Sequence, residues 1–244
     1  MANSGRKQTR NSKRHQPQDQ YQETSQPFEI VAKRITTPIE AKNENQKRYI
    51  NAIRNFSLIF GLGPAGTGKT YIAGALAAEM LESKNYDKII ITRPAVDAGE
   101  SLGFLPGELE EKYSPYIAAF RDVLNERLGK TYVEYLIKMG RIEPQPFAYM
   151  RGRTFKNAIV ILDEAQNATV EQMKLFLTRI GNNCVVVVSG DENQTDIRNS
   201  GLSDAVARLS WIPQVKVVKF GTADIVRSGL VQDIVSSYEK ENRV

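Results

Sequence analysis

The chain has 244 residues, 41% of them hydrophobic and 25% charged, with a formal net charge of +5, ordinary values for a globular α/β protein. No apolar run approaches the roughly 18 residues that a membrane-spanning helix needs, and the Lys/Arg- and Gln-rich start lacks the apolar centre of a secretory signal. The single cysteine, Cys184, excludes an internal disulfide, and the single histidine, His15, lies in a polar stretch, so histidine-based nucleophilic catalysis and zinc chemistry are not expected.

Residues 1–26 contain no Val, Leu or Ile and carry five cations against two carboxylates, which puts +3 of the net charge there and +2 in the rest. Such a segment reads as a disordered basic tail able to hold polyanions weakly, ahead of one folded domain over residues 27–244. A reducing, cytoplasmic setting is the simplest reading of the cysteine content.

From Phe56 onward the pattern alternates strand and helix. Residues 57–61 predict a short apolar strand that runs into a glycine-rich turn, and residues 71–81 a helix with Ile72, Leu76 and Met80 on one face. Residues 88–92 predict a second strand, and residues 114–128 a helix carrying Ile117, Phe120, Leu124 and Leu128. Residues 159–162 and 185–189 are short β-branched runs suited to buried parallel strands. Between them Thr169 and Gln172 predict a capping box, with Met173, Phe176, Leu177 and Ile180 as the apolar stripe and Gly181 as the stop. A last strand is expected at 215–220. The alternation implies a doubly wound, mostly parallel sheet with its ligand at the carboxyl ends of the strands.

Gly63-Pro64-Ala65-Gly66-Thr67-Gly68-Lys69-Thr70 matches the phosphate-binding pattern G-x-x-x-x-G-K-[ST] in full, with an apolar strand entering and a helix leaving. The glycines let backbone N–H groups turn inward, and the helix start adds positive partial charge. Lys69 is expected to reach the β- and γ-phosphates of ATP and Thr70 to ligate Mg²⁺. Asp163 and Glu164 end the strand at 159–162; Asp163 fits a magnesium-holding acid and Glu164 the base that polarises the attacking water. In motor ATPases an acid pair of this kind lies on a strand separated from the P-loop strand by another, a place that residues 88–92 are expected to fill. A single-domain RecA-like P-loop NTPase core follows. Gln194, in Ser189-Gly190-Asp191-Glu192-Asn193-Gln194, is the candidate sensor of the γ-phosphate.

These segments, with Asn43-Glu44-Asn45-Gln46, Thr92-Arg93-Pro94, Gly99-Glu100-Ser101-Leu102-Gly103-Phe104-Leu105-Pro106-Gly107 and Arg151-Gly152-Arg153-Thr154, resemble the PhoH family of ATPases, whose core is similar to superfamily 1 helicases. The resemblance runs from about residue 44 to 231. It implies that Gln46 reads the adenine edge, that Gln166 reaches the γ-phosphate or the attacking water, and that Arg93 contacts a nucleic-acid backbone. It also implies an arginine finger at Arg227, in Asp224-Ile225-Val226-Arg227, supplied across a ring of six subunits. Helicases of this type use two RecA-like domains, and this chain has length for one; a nuclease centre is not expected within it. The expected activity is ATP hydrolysis coupled to RNA or single-stranded DNA, with no membrane partner. A protein-remodelling ATPase and a small-molecule kinase are the alternatives, and Glu164 speaks against the kinase.

Overall fold

The computed structural model describes residues 34–94, 117–150, 152–195, 197 and 200–226, with Met1 and Gly229. The expected tail at 1–26, apart from Met1, and the segment at 99–107 lie outside the described residues. Residues 32–244 group as one unit. Six strands form one sheet among the described residues: β1 (Leu58–Leu62), β2 (Lys88–Thr92), β3 (Ile142–Pro144), β4 (Ala158–Leu162), β5 (Cys184–Gly190) and β6 (Val215–Lys219). Every pairing is parallel, and the order is β3-β2-β4-β5-β1-β6.

Among the described residues the α-helices are α1 (Glu44–Asn55), α2 (Lys69–Glu82), α3 (Ala118–Leu128), α4 (Lys130–Lys138), α5 (Val170–Leu177) and α6 (Gly201–Leu209). Alternation along the strands divides the core in two. Ile59, Ile89, Ile91, Ile159, Ile161 and Val187 pack with α1 to α4 on one face. Phe60, Ile90, Val160, Leu162, Val186 and Val188 pack with α5 and α6 on the other. Strands buried on both faces read as continuous apolar runs, which is why they stood out in the sequence.

Two expectations need correction. The strand between the P-loop strand and the acid strand is β5, and β2 pairs with β4 on its far side. The sheet order is set by crossovers that sequence order does not reveal. The helix opened by the Thr169–Gln172 capping box is present, but it ends at Leu177 with Thr178 as its cap. Gly181 serves a packing role instead: a Cβ there would lie 2.4 Å from the Phe155 carbonyl oxygen.

Phe176 is fully buried and meets Phe147 and Phe155 at centroid distances of 5.5 and 5.6 Å. This trio fastens α5, and with it the chain after Asp163, to the sheet. Phe176→Ala is expected to cost about 3–5 kcal/mol in urea denaturation, because the surrounding rings cannot close the cavity.

Candidate functional site

The carboxyl ends of four strands meet at one edge of the sheet. Register fixes this, since Leu62 pairs with Gly190, Val188 with Leu162, and Leu162 with Thr92. The Gly63 N–H donates to the Gly190 carbonyl at 3.0 Å, so the loop after β1 starts where β5 stops. Gly63 has φ +136°, and a Cβ there would lie 2.3 Å from the Phe220 carbonyl oxygen, so only glycine fits.

The loop closes around its own lysine. Lys69 Nζ donates to the carbonyls of Gly63 at 2.6 Å and Pro64 at 2.8 Å, and lies 3.3 Å from Thr67 Oγ1. Burial pushes the Lys69 ammonium below the usual lysine range, and the charges of Asp163, Asp191 and Glu164 partly offset that.

A cavity of about 360 Å³ opens over the loop. Its wall includes Gly63, Ala65, Gly66, Gly68, Lys69, Thr70, Asp163, Glu164 and Gln194, all singled out in the sequence. Gln194 is exposed at this wall. Asp191 also lines the cavity and is 6% exposed; it was legible only as one polar residue in the turn after a strand. Its backbone N–H donates to Gln166 Oε1 at 3.1 Å.

Asp163 and Glu164 differ in setting. Burial raises the Asp163 carboxyl from 3.8 to about 6, and the neighbouring Glu164 charge adds to this, while Arg93 and Lys69 act in the opposite sense. Glu164 has φ +50°, a left-handed conformation rare outside glycine and Asn. Gln166 Nε2 donates to Glu164 Oε2 at 2.6 Å, and Arg93 lies 3.5 Å from Glu164 Oε1. Gln166 is 2% exposed, and a Cβ on Gly190 would lie 2.7 Å from its Oε1. Its amide therefore sits behind Glu164 and joins the ends of β4 and β5.

Gln46 lies on the other side of the loop. Its Nε2 donates to the Thr67 carbonyl at 3.0 Å, and its Oε1 accepts from the Lys42 N–H at 2.8 Å. It borders a second cavity of about 490 Å³ lined by Pro38, Ile39, Ile72 and Val226 among others. Gly66, Gly68 and Tyr71 line both cavities. Arg153 donates to Glu143 Oε2 at 2.7 Å and also to Gln145, which braces the β3 edge. Arg227 lies outside the described residues. Just before it, the Val226 N–H donates to the Gly66 carbonyl at 2.9 Å, and Asp224 is held by Asn45 and by the Gly221 N–H.

A complete P-loop and an acid pair, facing each other across one cavity, agree with a family match over residues 38–239 to the PhoH-like protein model. The chain belongs to the PhoH-like family. Protein PhoH of Escherichia coli K12 is 51% identical over 210 residues, covering 84% of this chain and 59% of that protein. The PhoH-like protein of Bacillus subtilis is 45% identical over 226 residues, covering 91% and 71%. This PhoH-like chain thus spans about three fifths of the length of its Escherichia coli relative. The solved Pif1 helicase of Candida albicans aligns with a TM-score of 0.42 at 12% identity, over 81% of this chain and 43% of that one. Among the described residues no helix is long and apolar enough to cross a membrane.

The raised Asp163 carboxyl makes a prediction for the nucleotide-free protein. The native state binds a proton more tightly than the unfolded chain, so this group's contribution to stability falls as pH rises from 3.8 to about 6. Asp163→Asn removes the buried charge. The variant is expected to melt a few degrees above the parent at pH values above that window and at the same temperature below it, by scanning calorimetry without nucleotide.

Proposed function

We propose that the chain is a Mg²⁺-dependent ATP hydrolase whose turnover is coupled to RNA or single-stranded DNA. The observation that carries this reading is the shared cavity: the phosphate loop forms one wall, and Asp163, Glu164 and Asp191 stand together across from Lys69. Three carboxylates around one lysine suit a site that must balance a polyphosphate and a divalent cation.

The donor set fits magnesium, since Thr70 supplies a hydroxyl and Asp163 a carboxylate, both hard oxygens. When bound, Mg²⁺ would neutralise charge on the phosphates. Lys69 leaves the Gly63 and Pro64 carbonyls to meet the β- and γ-phosphates. Glu164 accepts the proton of the attacking water, and Gln166 holds that carboxylate in place through its Oε2. Gln194 meets the γ-phosphate from the cavity wall. The cavity beside Gln46 takes the adenine, with Gln46 bracing the loop through Thr67 while facing the base.

RNA or single-stranded DNA is the substrate strand in this reading, supported by Arg93 at the end of β2 and by the basic composition of residues 1–26. A polypeptide substrate would show itself as turnover stimulated by unfolded protein and not by RNA. A small-molecule kinase would transfer phosphate to an acceptor instead of releasing it.

Lys69→Ala is expected to abolish most nucleotide binding, measured by a fluorescent ATP analogue. Glu164→Gln is expected to keep that binding and slow phosphate release on the order of a hundredfold or more. Parental turnover in the Glu164→Gln protein would show that the base lies elsewhere.

We further propose a head-to-tail ring, six-membered as in the family resemblance, in which Arg227 of one subunit serves the next subunit's site. The bond from the Val226 N–H to Gly66 favours a second reading, with Arg227 acting on its own loop. Mixing decides between them. Arg227→Ala and Glu164→Gln subunits, each inactive alone, regain partial turnover together if the finger acts between subunits, and regain none if it acts within one.

A further inference from the structure

We propose that Arg93 latches the Glu164 carboxylate and that a phosphodiester strand opens the latch by taking the arginine for itself. The inference rests on the reading of Glu164 as the base and of RNA or single-stranded DNA as partner, and it says how the two are joined.

The latch follows from strand register. Arg93 directly follows Thr92, the last residue of β2, and Thr92 pairs with Leu162 at the end of β4. The Asp163 N–H donates to the Thr92 carbonyl at 3.0 Å, so the two chains stay in step one residue past the sheet. Glu164 comes next, and its left-handed backbone presents the carboxylate to Arg93 at 3.5 Å.

The two oxygens of Glu164 are held in unlike ways. Oε2 accepts from Gln166, which is 2% exposed and tied in turn to the Asp191 N–H, a fixed support. Oε1 faces Arg93, whose side chain is 36% exposed and within reach of a ligand in solvent. A guanidinium at Oε1 competes with any water that the carboxylate must orient. A half-exposed ion pair is weak, and a phosphate offers the same guanidinium a bidentate, charge-assisted partner. Binding of the strand then exchanges one anionic partner of Arg93 for another and leaves Glu164 to the water. Arg93 thereby acts as a positioning residue through Glu164.

Reciprocity makes this testable without nucleotide. If the strand must take Arg93 from Glu164, removing the Glu164 charge must help the strand bind. The affinity of the nucleotide-free protein for oligo(U) RNA is measured by fluorescence anisotropy at one fixed salt concentration. Glu164→Gln is expected to tighten binding about two- to fivefold, the range of a partly exposed ion pair. Arg93→Ala is expected to weaken it, and Glu164→Gln added to Arg93→Ala to produce no further gain. Unchanged affinity in Glu164→Gln overturns the latch. So does tightening that persists in the Arg93→Ala background, which would mark simple loss of a repelling charge, and so does an absence of RNA binding. A lack of ATP turnover in the parent would refute the hydrolase reading and leave this cycle to decide the latch. In an active parent, Arg93→Ala is expected to raise RNA-free turnover several-fold and to blunt stimulation by RNA.

Discussion

The parallel register of β1, β5 and β4 is the constraint on which the site depends. Leu62 lies beside Gly190, and Val188 beside Leu162, so β1 and β5 end level with each other and β4 ends within two residues of them, although the three strands are far apart along the chain. The loop after β1, the turn after β5 and the acids after β4 therefore meet without any side chain having to reach. A shift of one strand by one residue would reverse its side chains and carry Asp163 or Asp191 away from Lys69. The buried β-branched runs make that slip costly, because both faces of these strands are packed.

The central strands and the phosphate loop were legible because each carries a local signal: continuous apolar runs, a capping box, and a glycine pattern with fixed spacing. The order of the strands was not. Residues 88–92 lie between the loop and the acids in sequence, yet the strand between them in space is β5, which comes later. Crossover connections decide that, and they leave no mark on any one segment. The short edge strand β3 escaped because Ile142, Glu143 and Pro144 offer one β-branched residue and a proline. Gln166 and Asp191 show a similar limit. Each lay in a segment of interest, but the bond that joins them spans 25 residues and needs the fold to exist.

Charge in the site is arranged around shortage of water. Lys69 finds its partners in carbonyls of its own loop, and Asp163 is pushed toward the neutral form. Such groups lose solvation on folding and regain full partners only with a ligand of matching charge. The second cavity is more mixed, bordered by apolar side chains such as Ile39 and Ile72, by the charged Glu40, Lys42 and Arg127, and by the amide of Gln46, already engaged with the loop.

The outer strands carry a consequence for how copies of this chain can associate. Among the described residues, β6 forms one border of the sheet and places Lys216 and Lys219 at exposed positions; β3 forms the other, three residues long, and ends in Pro144, which has no amide hydrogen to give. Both features discourage a foreign strand from adding on. Growth into fibrils by edge-to-edge stacking is thereby disfavoured, and any orderly assembly is left to be built from loops and helix surfaces, where contacts can form and release without tearing a ladder of main-chain bonds.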